Sequence, residues 1–117
     1  MARNSLKITP MTPSIGAEIS GIDLTQPLSD DDFDTLNQTL ADRQVLFFRD
    51  QDALSPEQQI RLGKYFGPMH VHPAAPTLER HPEIFVIHTH KDSTIANGNL
   101  WHSDVSCDEE PPLGTIL

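Results

Sequence analysis

The sequence has a single cysteine, few basic residues and no long apolar run. Cys107 is the only cysteine among 117 residues, so no internal disulfide can form, and we expect a reducing compartment such as the cytoplasm. Eight lysines and arginines stand against seventeen aspartates and glutamates, a formal net charge of -9. Because phosphates and anionic lipids attract clustered basic side chains, this balance argues against nucleic acid or a membrane surface as a partner. No apolar stretch approaches the roughly 20 residues that cross a bilayer.

Two common catalytic motifs are also missing. The sequence contains no glycine-rich phosphate loop and no Gly-x-Ser-x-Gly nucleophile elbow.

The hydrophobic pattern predicts a mixture of strands and helices, an α+β domain. Ser29 and Ser55 are good helix N-caps, each followed by residues that favour a first helical turn. Strands are predicted at residues 6–9, 15–21, 45–48 and 84–87, an irregular segment at 69–82, and the beginning of a further strand at 114–117.

A histidine and an aspartate stand one residue apart near the end of the chain, in Trp101-His102-Ser103-Asp104. In an extended backbone alternate side chains lie on the same side, so His102 and Asp104 can reach one metal ion. They supply two of the three ligands of the 2-His-1-carboxylate arrangement, which holds non-haem Fe(II) and leaves positions open. The third ligand must come from elsewhere.

Two further histidine pairs have the same alternate spacing, His70-x-His72 and His88-x-His90. Either pair could bind a metal, hold an anionic substrate group, or consist of ordinary hydrogen-bonded histidines. Spacing alone does not rank the three pairs, since such short patterns recur by chance.

The context of these pairs resembles the taurine dioxygenase (TauD/TfdA) family. The segments that carry the resemblance follow in family order and with near-family spacing at residues 8–10, 15–24, 27–30, 45–51, 66–67, 70–73, 101–106 and 111–112. Family members are Fe(II)- and 2-oxoglutarate-dependent dioxygenases built on a double-stranded β-helix, the jelly roll of clavaminate synthase-like enzymes. The resemblance therefore implies that residues 1–117 are the N-terminal part of one such domain, and we expect the chain to be truncated.

The resemblance also implies roles for individual residues. His102 and Asp104 become iron ligands, whereas the second ligand histidine and the arginine that pairs with 2-oxoglutarate lie downstream in the family and have no counterpart here. His72 matches the family histidine that hydrogen-bonds the sulfonate of taurine, and we expect it to be protonated. Asn97 or Asn99, or neither, corresponds to a substrate-contacting asparagine.

The expected reaction is hydroxylation of a small anionic substrate, taurine or a related alkyl sulfonate, with O₂ and 2-oxoglutarate consumed and succinate and CO₂ released. Ala75 stands where the taurine enzyme has a tyrosine, which leaves alkyl sulfates and carboxylates open as substrates. A homo-oligomer is expected for the full-length enzyme. The alternatives are a metal-binding module without catalysis and a structural fragment. We further expect His72 to line the same cavity as the metal site, His81 to lie outside it, and the chain alone to be inactive and marginally stable.

Overall fold

A computed structural model of the protein describes residues 6–94 and 98–117, which fall into two compact units divided after Phe66. The first unit contains three strands and two helices, β1 (Lys7–Pro10), β2 (Ala17–Ser20), α1 (Asp30–Arg43), β3 (Leu46–Phe48) and α2 (Pro56–Phe66). The second contains β4 (Thr77–Leu78) and β5 (His81–Phe85). Within the described ranges, neither helix is long and apolar enough to span a bilayer.

The first unit is organised around a three-stranded sheet in the order β1-β2-β3. Strand β2 pairs antiparallel with β1 and parallel with β3, so helix α1 forms the crossover between the two parallel strands. Alternation along β2 buries Ala17 and Ile19 on one face. Leu36 of α1 packs with them to form the core of this unit.

Both helices begin where the capping residues predict. The Ser29 hydroxyl accepts a hydrogen bond from the Asp32 N–H at 3.2 Å, which satisfies one of the free donors of the first turn. Ser55 and Gln58 form a reciprocal capping box, with N···O distances of 2.8 and 3.2 Å. The Tyr65 hydroxyl accepts from the Leu28 N–H at 3.0 Å, which ties α2 to the segment that enters α1.

The second unit contains a short hairpin that differs from the prediction. Strands β4 and β5 pair antiparallel, with a register irregularity at Thr77 and Leu78. The irregular segment expected at 69–82 therefore contains β4 and the start of β5, and the strand expected at 84–87 ends at Phe85. Arg80, at a left-handed φ of 65°, closes the turn, and sequence periodicity does not reveal such a residue. Residues 114–117 are described without a regular element, so the strand expected there is not present.

Helices and two small sheets agree with a mixed α and β composition. The double-stranded β-helix requires two facing sheets of several strands, and the described residues supply only part of that number. The jelly roll therefore stays a prediction.

Candidate functional site

His102 and Asp104 lie side by side in the second unit. The distance between His102 Nε2 and Asp104 Oδ1 is 3.2 Å. Two ligand atoms, each about 2.1 Å from one ion and at roughly a right angle, are about 3.0 Å apart. The observed separation therefore suits two neighbouring ligands of one metal ion, although the segment belongs to neither of the two sheets.

The hydrogen bonding of His102 fixes the tautomer of its ring. Nδ1 lies 2.6 Å from the Leu100 carbonyl oxygen. A carbonyl oxygen can only accept, so Nδ1 carries the proton and donates it to Leu100. In the neutral ring this leaves the lone pair on Nε2, the nitrogen that faces Asp104. The donor set is thus one imidazole nitrogen and one carboxylate oxygen, both suited to Fe(II).

Gly98 lies directly against the His102 ring. Its φ is +82°, in the left-handed region that glycine tolerates best, and a Cβ added there would lie 3.3 Å from His102 Cε1. Residues 98–102, which include Asn99, line a shallow depression of about 390 Å³. Asn99 therefore borders the same depression as His102, whereas Asn97, the other candidate asparagine, lies outside the described residues.

The pair is open to solvent. The side chains of His102 and Asp104 are 52% and 83% exposed, and the Trp101 ring is fully exposed. Among the residues described, no three histidine, cysteine, aspartate or glutamate side chains come together in a way that could hold a metal. The roles of His102 and Asp104 as metal ligands stay predictions.

His72 lies in a different set of contacts. Its Nδ1 accepts a hydrogen bond from the Ala74 N–H at 3.2 Å. An imidazolium could not accept this bond, because both of its nitrogens carry protons. With Nδ1 as the acceptor, the proton of the neutral ring lies on Nε2, and the protonated His72 expected with a bound anion stays a prediction. The ring stacks on Phe85, with centroids 5.6 Å apart and planes 26° from parallel.

His70 packs edge-on against His72, at a centroid distance of 6.3 Å and an interplanar angle of 89°. Its Nδ1 lies 3.8 Å from Asp108 Oδ2, and its buried Nε2 has no hydrogen-bond partner among the described residues. This arrangement fits a packing residue beside His72.

The remaining histidines lie elsewhere in the second unit. The ring centroids of His88 and His90 are 5.6 Å apart, with the rings tilted by 51°. His90 Nδ1 accepts a hydrogen bond from the Asp92 N–H. His81 begins β5. The structure thus brings His102 together with Asp104, and His72 together with Phe85 and His70. A cavity shared by His72 and His102, with His81 outside it, stays a prediction.

Sequence reasoning missed two residues of these clusters. Gly98 is flanked by Asn97 and Asn99 in the sequence. Asn-Gly-Asn is a turn signal that could have indicated a positive φ close to His102 and Asp104. Phe85 had no such signal, because its contact with His72 depends on how the hairpin folds back.

Comparison with known proteins gives a consistent answer. The model of the family described as "Taurine catabolism dioxygenase TauD, TfdA family" matches residues 7–117. An alpha-ketoglutarate-dependent sulfonate dioxygenase of Saccharomyces cerevisiae is 34% identical over 96% of this chain and 29% of its own length. An alkylsulfatase of Acinetobacter baylyi is also 34% identical, over 96% of this chain and 34% of its own length. The chain spans about a third of the length of these curated relatives.

A solved structure extends this similarity to the backbone. The crystal structure of a taurine dioxygenase from Burkholderia xenovorans superimposes with a TM-score of 0.74 at 31% identity, covering 92% of this chain and 38% of that one. The family predicted from the ordered motifs is thereby confirmed. Sequence and backbone comparison agree over nearly the whole chain, which therefore belongs to the TauD/TfdA dioxygenase family.

Proposed function

We propose that the whole protein is an Fe(II)- and 2-oxoglutarate-dependent dioxygenase that hydroxylates a small anionic substrate, an alkyl sulfonate such as taurine. The observation that carries the proposal is the 3.2 Å separation of His102 Nε2 and Asp104 Oδ1 in a chain of this family. The names of relatives support the substrate class, since one is a sulfonate dioxygenase and another an alkylsulfatase.

His102 Nε2 and Asp104 Oδ1 would hold the iron, with a third ligand and the arginine for 2-oxoglutarate coming from outside residues 1–117. When bound, Fe(II) supplies the oxidative chemistry that couples decarboxylation of 2-oxoglutarate by O₂ to hydroxylation of a C–H bond, giving succinate, CO₂ and an alcohol. The chain's own contribution is orientation. Leu100 fixes the His102 proton on Nδ1, and Asp104 would place one negative charge beside the bound cation.

His72 would bind the anionic group of the substrate. Because Nδ1 is occupied by the Ala74 N–H, the ring has one N–H, at Nε2, to donate to a sulfonate oxygen. A charged acceptor strengthens such a bond even when the donor is neutral. Asn99 borders the depression beside His102, so its amide is available as a second donor. Holding the anion fixes the distance between the reactive carbon and the metal site.

Ala75 bears on which anion is preferred. Its methyl group offers neither the hydroxyl nor the bulk of the tyrosine that the resemblance predicts there. Taurine bound here would lack that hydroxyl, and a substrate larger than taurine would gain room. An alkyl sulfate is therefore the second candidate, and the relative named as an alkylsulfatase favours it. A cytoplasmic location and homo-oligomeric assembly complete the proposal.

The test is turnover by the full-length protein. Purified enzyme with Fe(II), O₂ and 2-oxoglutarate is given taurine, longer alkanesulfonates, alkyl sulfates and carboxylates, while succinate and hydroxylated products are measured. We expect substrate-stimulated succinate formation with a sulfonate, and its loss in His102→Ala and Asp104→Ala. His88→Ala removes an exposed histidine that belongs neither to the His102–Asp104 pair nor to the contacts of His72, and it should leave turnover unchanged. Inactivity with every substrate, or full activity of His102→Ala, would overturn the proposal and favour a non-catalytic module.

A further inference from the structure

The His72 imidazole is restrained along one edge by the backbone. Its Nδ1 accepts from the N–H of Ala74, two residues further along the chain, at 3.2 Å. Pro73 and Pro76 lie in the same short segment, and each fixes its own φ. This bond selects the tautomer with the proton on Nε2. It does not by itself fix the plane of the ring, because rotation about χ2 can tilt the imidazole while a long hydrogen bond survives.

Phe85 supplies the missing restraint. Its ring stacks on that of His72, with centroids 5.6 Å apart and planes 26° from parallel. Aromatic pairs prefer such an offset, nearly parallel arrangement, and tilting the imidazole would forfeit the contact. The edge bond and the face contact together determine both the tautomer and the plane of His72, and so the direction of its Nε2–H.

The β4–β5 hairpin is what brings Phe85 to this place. Phe85 pairs with Thr77 in the register of the two strands. The N–H of Val86 donates to the carbonyl oxygen of Pro76 at 2.9 Å, one residue beyond the ladder. The chain thus returns, through residues 85 and 86, to the segment that leaves His72. Phe85 is held by backbone pairing rather than by side-chain packing alone.

We infer that Phe85 is a positioning residue, which aims the Nε2–H of His72 at the anionic group of the substrate. This inference rests on the proposed function, because it assumes that His72 binds that group. Phe85 itself need not touch the substrate. Its loss should weaken recognition of the sulfonate and leave the metal site and 2-oxoglutarate binding unaffected, since those lie with other residues.

The test uses the full-length enzyme and three variants. Phe85→Leu keeps an apolar side chain but removes the ring, and Phe85→Tyr keeps the ring. Ile87→Ala, the control, changes an exposed apolar residue just after β5. We expect Phe85→Leu to raise the KM for the sulfonate about two- to twelvefold, the range of an aromatic pair contact. Its KM for 2-oxoglutarate, its Co(II) affinity and its kcat should stay at wild-type values. Phe85→Tyr and Ile87→Ala should match the wild type.

A second readout reports on the ring directly. Long-range ¹H–¹⁵N spectra of the wild-type enzyme should show His72 in the Nε2–H tautomer, and Phe85→Leu should show a mixture or exchange broadening. A wild-type His72 in the other tautomer would overturn the inference, even if the leucine variant does not fold.

The outcomes separate the inference from the proposed function. If His72→Ala raises the sulfonate KM but Phe85→Leu does not, the positioning role is wrong and the function stands. If His72→Ala leaves that KM unchanged, the assignment of His72 fails and the inference fails with it. A Phe85→Leu variant in which both KM values rise together and Tm falls would indicate a purely structural role.

Discussion

Replacing Gly98 by alanine should weaken metal binding at the His102–Asp104 pair. The residue has a φ of +82°, and an L-residue in the left-handed region is strained by about 1–2 kcal/mol. The new Cβ would also lie 3.3 Å from His102 Cε1, so the ring or the loop must move by a few tenths of an ångström. The simplest relief turns the imidazole away from Asp104. If all of the strain opposes coordination, affinity falls about 5- to 30-fold.

The assay is isothermal titration of Mn(II) or Co(II), which resist oxidation, into the full-length protein. Gly114→Ala is the matched control, because apart from its chain neighbours no atom of the described residues lies within 4 Å of its added Cβ, and its φ is outside the left-handed region. We expect wild-type affinity in Gly114→Ala and reduced affinity in Gly98→Ala, with a smaller change in Tm. Wild-type affinity in Gly98→Ala would refute the idea that this glycine seats the His102 ring.

Other predictions concern the substrate residue, the core and the chain alone. His72→Ala should raise the KM of the full-length enzyme for its sulfonate strongly and leave Co(II) affinity nearly unchanged, whereas an equal loss of metal affinity would make His72 a ligand. Leu36 is fully buried, so in urea titrations of the full-length enzyme Leu36→Ala should lower the free energy of unfolding by about 2–5 kcal/mol. The control Asn37→Ala, at an exposed position, should lower it by less than about 0.5 kcal/mol. Residues 1–117 expressed alone should form no succinate and should aggregate, since they would supply only two of the three expected iron ligands and expose Trp101 fully. Substrate-stimulated turnover by this chain would contradict the expected truncation.

Local sequence signals determined the starts of the helices. Ser29 and Ser55 satisfy free N–H groups through their own hydroxyls, an interaction that spans three residues and is independent of the rest of the fold. The strands around Ile19 and Phe48 were likewise predicted from short apolar patterns. The β4–β5 hairpin was not, because its turn uses Arg80 at positive φ and its pairing is interrupted by an irregular register.

The candidate site shows the same difference between features predicted from local sequence and features that depend on the fold. The alternate spacing predicted that His102 and Asp104 can reach one point, and their Nε2 and Oδ1 atoms lie 3.2 Å apart although the segment is not a strand. The ordered motifs also determined the family. Two contacts are visible only in the folded chain, the stacking of Phe85 on His72 and the position of Gly98 against the His102 ring. The first contact joins residues thirteen positions apart through a hairpin, and the second depends on a left-handed φ. Neither leaves a periodic trace in the sequence, since contacts of this kind are determined by backbone geometry rather than by residue spacing.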